Sequence, residues 1–272
     1  MAMVHPGVEA LARWLGRRRG LCLPALCLAS TLASGAPMAH EPARPASMPP
    51  GTELRVADAK TGGLGYWTLY LPADFSEDRK WPVIFCFHGL DQKPGTWPFR
   101  QLTGGRGYII VGMEYLQRGL HGIRRADEAV NLQRVVALVK QWLPVDERAL
   151  FVGGFSKGGW HTSNMAERTS SLWRGAVILG AGRSSTPDAL GLRGKPVFIG
   201  IGEHDMERAA AAAAADFYGK LGARVTFATF KGKGHTVDID DPALRRWLQE
   251  GAAQPPATAA VYGSDLQQRK PR

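Results

Sequence analysis

The sequence predicts an α/β protein in which helices cover both faces of a mostly parallel central sheet. Three observations favour this fold class. Short apolar runs alternate along the chain with segments of helical periodicity, which is the order of elements in parallel sheets. Several of these runs are apolar on both faces, as buried parallel strands are. Glycine-rich and polar turns follow the runs, at the strand ends where active sites form in such sheets.

The predicted strands are recognised by apolar or alternating residues that end at turn residues. Regular structure is expected from Glu53 onwards. In chain order the predicted strands are Gly65–Leu71, Val83–Phe87, Tyr108–Met113, Leu150–Phe155, Ala176–Leu179, Pro196–Ile201 and Arg224–Phe230.

The predicted helices separate these strands, and apolar residues recur along them at helical spacing. They are Asp127–Trp142, Lys157–Arg168, Glu207–Leu221 and Pro242–Gln249. Pro144 ends the first helix. The third contains seven consecutive alanines, which are strong helix formers, and Gly219 or Gly222 is expected to end it.

The two ends of the chain differ in composition from the predicted domain, residues 53–250. In residues 1–39, arginines precede a short apolar run and small residues, an order that predicts a signal peptide and a secreted or periplasmic protein. The run is shorter than the roughly 20 residues that span a bilayer, so we expect no membrane span in the mature form; an uncleaved membrane anchor is the alternative. Composition predicts a flexible linker at residues 40–52 and a disordered tail at residues 251–272.

Charge and cysteine content argue against nucleic-acid binding and against a cysteine nucleophile. The 272 residues include 34 basic and 24 acidic side chains, a net charge of +10, of which about +7 would remain without residues 1–39. The basic residues are scattered and no nucleic-acid motif accompanies them, so we expect no nucleic-acid partner. Cys86 lies inside an apolar run, which favours a buried side chain over a nucleophile.

A candidate nucleophile follows the fourth predicted strand. Gly154-Phe155-Ser156-Lys157-Gly158 fits the pattern G-x-S-x-G, in which a sharp strand-to-helix turn presents a serine hydroxyl. The residues two positions away are glycines, because larger side chains would collide at so tight a turn. The motif therefore predicts that Ser156 is a nucleophile.

A serine hydroxyl needs a base, and the base needs an orienting acid. Asp205 and His235 each follow a later predicted strand, in the order serine, acid, histidine that this arrangement requires. We therefore expect Asp205 to be the acid and His235 the base. Glu203 is the alternative acid.

The remaining histidines and aspartates have other expected roles. His161 is expected to be structural and His121 to be solvent-exposed. A metal site that combines His204 and Asp238 with Asp205 and His235 is conceivable, but no recognised ligand spacing supports it. We expect neither a metal nor a cofactor.

The tetrahedral intermediate of such a reaction needs two hydrogen-bond donors for its oxyanion. The backbone N–H of Lys157, at a helix N-terminus, is one candidate. The backbone N–H of Leu90 is the other, and His88 is expected to brace its loop. Trp97 follows the loop of Leu90, and Trp160 follows the turn of Ser156. Both are candidates for substrate binding, with core packing as the alternative.

These motifs together resemble the α/β-hydrolase superfamily, in particular its phospholipase/carboxylesterase branch and its feruloyl-esterase or polyhydroxybutyrate-depolymerase-like branches. The resemblance rests on His88-Gly89-Leu90-Asp91, Gly154-Phe155-Ser156-Lys157-Gly158-Gly159, Gly202-Glu203-His204-Asp205 and Gly234-His235. It implies an α/β-hydrolase fold and cofactor-free hydrolysis of small-molecule or polymer esters. Few residues separate the predicted strand Ala176–Leu179 from the next one, which begins at Pro196. We therefore expect no large lid domain. A serine peptidase of the prolyl-oligopeptidase type and a non-catalytic binding protein are the alternatives.

Overall fold

A computed structural model describes residues 40–116, 125–184 and 189–253. The predicted signal peptide, His121 and residues 254–272 of the predicted tail lie outside the described residues.

The described elements alternate between strands and helices. The strands are β1 (Glu53–Ala57), β2 (Tyr66–Tyr70), β3 (Trp81–Phe87), β4 (Ile109–Met113), β5 (Val145–Phe155), β6 (Gly175–Leu179), β7 (Pro196–Gly202) and β8 (Arg224–Phe230). The helices are α1 (Phe99–Leu102), α2 (Arg125–Trp142), α3 (Lys157–Arg168), α4 (Arg208–Leu221) and α5 (Pro242–Ala253), with short 3₁₀ turns at Ala59–Thr61, Ser170–Leu172 and Ala189–Leu192.

Within the described residues, all of the strands join one sheet in the order β1-β2-β4-β3-β5-β6-β7-β8. The pairs β1/β2 and β2/β4 are antiparallel, and every other neighbouring pair is parallel. The parallel strands end at the same edge, so the segments that follow β3, β4, β5, β6, β7 and β8 meet there. This confirms the predicted α/β class and mostly parallel sheet.

Helices lie on both faces of the sheet because the strands are apolar on both sides. Along β3, Phe85 packs into one core cluster with residues of α2, α3 and α4. Its neighbours Ile84 and Cys86 point the other way, into a cluster with residues of α1 and α5. Because successive side chains of a strand point to opposite faces of the sheet, a single strand contributes to two separate cores.

Some element boundaries differ from the prediction. β5 begins at Val145, because Val145 pairs with Trp81 across a register shift in β3. The edge strand β1 was not among the predicted strands, because most of its side chains face solvent and only Val56 is buried. Helix α4 ends at Leu221 and is capped by Gly222, one of the two predicted end points, whose φ of 91° lies in the left-handed region. Helix α5 continues to Ala253, beyond the predicted start of the tail.

Residues 40–52 form neither helix nor strand, yet they contact the domain. Glu41 forms ion pairs with Lys60 at 2.5 Å and with Arg134 at 2.8 Å. Met48 packs against the core. The prediction of a flexible linker did not anticipate these contacts, which join residues far apart in the sequence.

Candidate active site

The turn between β5 and α3 holds Ser156 in an unusual backbone conformation. Its φ of 58° and ψ of −123° place a residue with a side chain in a region that glycine usually occupies. A Cβ at Gly154 would lie 2.5 Å from the Gly158 oxygen, and one at Gly158 would lie 2.0 Å from the Phe87 oxygen. Both flanking glycines are therefore required by backbone contacts, which is the steric reason that the sequence motif suggested.

Ser156, His235 and Asp205 form a chain of hydrogen bonds. The Ser156 Oγ lies 2.8 Å from His235 Nε2, and His235 Nδ1 lies 2.8 Å from Asp205 Oδ2. Ser156 precedes helix α3 but its side chain makes no capping bond to the helix, so the hydroxyl remains directed at the imidazole. The structure thus brings the three predicted residues together.

Sheet register explains why residues so distant in sequence meet. Gly202, the last residue of β7, pairs with Phe230, the last residue of β8, so the turns that carry Asp205 and His235 lie side by side. The Asp205 side chain is fully buried, and its second oxygen, Oδ1, accepts the Glu207 N–H at 2.9 Å. Both carboxylate oxygens therefore have a fixed partner.

Phe155 and Gly180 lie against the imidazole of His235. The Phe155 ring lies 5.0 Å from the His235 ring, centroid to centroid. Gly180, in the turn after β6, has a φ of 58°, and a Cβ there would lie 2.6 Å from the Phe155 ring. Neither contact was predicted; the only sequence signal was the glycine that directly follows β6.

Glu203, the alternative acid, contacts Gly232 and His204. Glu203 Oε2 accepts the Gly232 N–H at 2.8 Å and lies 3.9 Å from the exposed His204. Asp241 accepts the Leu244 N–H at 2.8 Å, at the start of α5. These contacts leave Asp205 as the carboxylate that bonds to His235.

His161 is buried among aromatic rings. Its imidazole lies 4.5 Å from the ring of Phe87 and 5.1 Å from the ring of Tyr115. This agrees with the expected structural role. Across residues 40–116, 125–184 and 189–253, no group of three or more His, Cys, Asp or Glu side chains is arranged to hold a metal ion.

The loop after β3 lies directly against the turn that holds Ser156. Phe87 pairs with Gly154 in the sheet, and a Cβ at Gly158 would lie 2.8 Å from the His88 oxygen. Leu90 is 40% exposed, and Asp91 has a φ of 57°. The loop and the N-terminus of α3, which carry the two candidate oxyanion donors, are therefore adjacent.

Comparison with known proteins gives structural neighbours only. No protein-family model and no curated protein matches the sequence. A thermostable esterase superimposes with a TM-score of 0.53 at 16% identity, over 73% of this chain and 62% of the esterase. A putative dipeptidyl aminopeptidase IV from Bacteroides ovatus gives 0.56 at 16% identity, over 74% of this chain.

A third neighbour is matched over nearly its whole length. Fluorophosphonate-binding serine hydrolase F from Staphylococcus aureus gives a TM-score of 0.55 at 15% identity, over 75% of this chain and 98% of the hydrolase. By contrast, the chain spans 62% of the thermostable esterase and 35% of the aminopeptidase. This protein has the α/β-hydrolase fold. The expected resemblance is confirmed at the level of fold.

The α/β-hydrolase fold is present here without a large lid domain in the described part of the chain. Residues 180–195 join β6 to β7, and residues 203–207 join β7 to α4. Among the described residues no helix is both long enough and apolar enough to cross a membrane.

The two predicted substrate-binding tryptophans occupy different settings in the α/β-hydrolase fold. Trp97 is 38% exposed, and its ring stands edge-on to that of Phe155 at 5.3 Å, which places it beside the residue that precedes Ser156. Trp160 packs against the core, and its ring would contact a Cβ at Gly182 at 2.7 Å. Core packing therefore accounts for much of Trp160, whereas Trp97 is accessible.

Proposed function

We propose that this protein is an exported serine hydrolase that cleaves carboxylic esters through an acyl-enzyme intermediate. The observation that carries the proposal is the chain of two 2.8 Å contacts from Ser156 through His235 to the buried Asp205. In a hydrogen-bonded chain of this kind the histidine accepts the serine proton, and the carboxylate holds the imidazole in the required tautomer. The fold alone would not support this activity.

The proposed reaction has two halves. Ser156 Oγ attacks the ester carbonyl carbon while its proton moves to His235 Nε2, and the Asp205 carboxylate stabilises the resulting imidazolium. The carbonyl oxygen becomes an oxyanion that accepts hydrogen bonds from the Leu90 and Lys157 N–H groups. His235 then gives its proton to the departing alcohol, and an acyl-serine remains.

The second half repeats these steps with water. His235 takes a proton from the water molecule as the water oxygen attacks the acyl-serine carbonyl. Collapse of the second tetrahedral intermediate breaks the bond to Ser156 Oγ, which regains its proton from His235. The products are a carboxylic acid and the free enzyme, and no cofactor takes part.

A fluorophosphonate probe tests the nucleophile directly. The probe phosphonylates an activated serine, so we expect Ser156 to carry the label, as identified by peptide mapping of the folded protein. Ser156→Ala and His235→Ala should each lower kcat by roughly 10⁴-fold to 10⁶-fold. Ser171→Ala, at an exposed serine, is the matched control and should keep full labelling. Labelling elsewhere, or a loss below tenfold, would refute the assignment.

Substrate class and export need separate measurements. A panel of short acyl esters, feruloyl esters, polyesters and peptide amides distinguishes an esterase from a peptidase, and turnover confined to the amides would contradict the proposal. Export through the N-terminal segment predicts that cell fractionation recovers a chain shortened by about 35 to 39 residues outside the cytoplasm. Recovery of the full-length chain in the cytoplasm would contradict export.

A further inference from the structure

The loop after β3 holds the Gly89–Leu90 peptide group in one orientation. The Gly89 carbonyl oxygen lies 2.8 Å from His88 Nδ1 and accepts the Gln92 N–H at 3.4 Å. In a trans peptide the N–H points away from the carbonyl of the same group, so the Leu90 N–H faces the opposite side. Within the described residues it donates to no acceptor, as expected of a donor kept for a ligand.

The preceding peptide group, His88–Gly89, is held at both ends by side chains. The Tyr115 hydroxyl donates to the His88 oxygen at 2.6 Å, and the Gly89 N–H donates to Gln92 Oε1 at 3.0 Å. One peptide group with both polar atoms bonded cannot rotate without breaking a hydrogen bond. This anchors the chain on one side of Gly89, while the His88 ring and the Gln92 N–H hold the next peptide group, which carries the Leu90 N–H.

Tyr115 is well suited to this task. Its side chain is fully buried, and the His88 ring packs edge-on against it at 4.7 Å. Burial, together with the nearby Glu128 and Glu114, raises the pKa of the Tyr115 hydroxyl well above its ordinary value, so the group keeps the proton that it donates.

Tyr115 also contacts the other half of the proposed oxyanion hole. Lys157 Nζ lies 3.9 Å from the centroid of the Tyr115 ring, a cation–π distance. Lys157 supplies the second candidate N–H donor, so a single aromatic side chain contacts both Lys157 and the His88 oxygen of the loop that carries Leu90.

We propose that Tyr115 and Gln92 are positioning residues that fix the direction of the Leu90 N–H in the oxyanion hole. The inference rests on the proposed esterase function. Both residues act through the peptide backbone, so they differ from the residues proposed to take part in the reaction itself. Neither was singled out from the sequence.

Two substitutions remove the two bonds separately. Tyr115→Phe deletes one hydroxyl, and Gln92→Met deletes the acceptor at an exposed position with little change of shape. We expect each to lower kcat roughly tenfold, less than the about 10²-fold to 10³-fold loss that follows deletion of an oxyanion donor. KM should stay within about twofold, because the donor acts in the transition state.

A transition-state analogue distinguishes positioning from a purely structural role. A trifluoromethyl ketone forms a tetrahedral adduct with the serine and places its oxyanion in the hole. Its inhibition constant should rise by the same factor by which kcat falls. Tyr108→Phe is the matched control for Tyr115, because Tyr108 is buried and its hydroxyl donates to the Leu248 oxygen at 2.5 Å. Gln101→Met, at an exposed glutamine of α1, is the control for Gln92.

The outcomes separate the two proposals. If the wild-type protein is active and both Tyr115→Phe and Gln92→Met keep kcat and analogue affinity, positioning is refuted and the esterase function stands. If the control variants lose as much kcat, the effect is structural and positioning is again refuted. If wild-type protein neither turns over esters nor reacts with a fluorophosphonate, the esterase function fails and positioning fails with it. Should Tyr115→Phe not fold, Gln92→Met decides the matter alone.

Discussion

Replacing Asp205 with asparagine probes the histidine's orientation without changing the shape of the side chain. Asp205 uses Oδ2 for His235 Nδ1 at 2.8 Å and Oδ1 for the Glu207 N–H at 2.9 Å. An asparagine that keeps its oxygen on the Glu207 N–H must turn its NH₂ group toward His235. The imidazole would then carry its proton on Nε2 and could not accept the proton of Ser156.

The size of the effect follows from these two bonds. A flipped amide, with its oxygen toward His235, would leave the Glu207 N–H facing a donor, which costs about 1 to 3 kcal/mol. The lost carboxylate charge matters more, since attraction to an imidazolium across a 2.8 Å contact is about 6 kcal/mol at an effective dielectric constant of about 20. We therefore expect Asp205→Asn to lower kcat by about 10⁴-fold, or about 5.5 kcal/mol of transition-state stabilisation.

Steady-state hydrolysis of a p-nitrophenyl ester measures the loss, with thermal unfolding as a check that the variant folds. Glu203→Gln is the matched control, because Glu203 is the neighbouring carboxylate and bonds to Gly232. It should stay within about threefold of wild type. A loss below tenfold in Asp205→Asn, or an equal loss in Glu203→Gln, would refute the reasoning.

Three further predictions address packing, reactivity and substrate contact. Gly158→Ala should lower the free energy of unfolding by about 3 kcal/mol or more, because its Cβ would lie 2.0 Å from the Phe87 oxygen. Gly219→Ala, in open space on α4, should instead raise it by about 0.5 to 1 kcal/mol; urea unfolding compares the two. Burial raises the pKa of the Cys86 thiol, so in protein without residues 1–39 Ellman's reagent should react after denaturation only, and reaction in the native state would contradict this. Trp97→Ala should raise KM about fivefold, from about 1 kcal/mol of aromatic contact, and an unchanged KM would place Trp97 outside the binding site.

Much of the fold could be predicted because its signals are local. Helix α3 has the predicted bounds, since it starts directly after the glycine-flanked serine and Lys157 to Arg168 follow with helical periodicity. The edge strand β1 has a weak signal because Glu53 and Arg55 are exposed and charged and only Val56 is buried. Boundaries such as the start of β5 depend on pairing with a partner strand, which periodicity does not reveal.

The candidate site divides in the same way. Its three polar residues could be selected in advance, because each lies just past the end of a strand in the required chain order. The residues around them could not, since Tyr115 reaches the His88 oxygen from the end of the neighbouring strand β4. Gly180 and Phe155 similarly meet His235 from different strand ends.

The sequence by itself determined most of the strands and helices, the tight turn at Ser156 and the order of the candidate residues, because steric and periodic constraints act over a few neighbouring residues. The tertiary structure alone decided that β3 lies between β4 and β5, and hence which side chains surround the loop of Leu90. Strand neighbours are set by crossover connections and by packing of both sheet faces, which are properties of the whole chain. For that reason the hydrogen bonds that orient this loop could not be predicted from local sequence patterns.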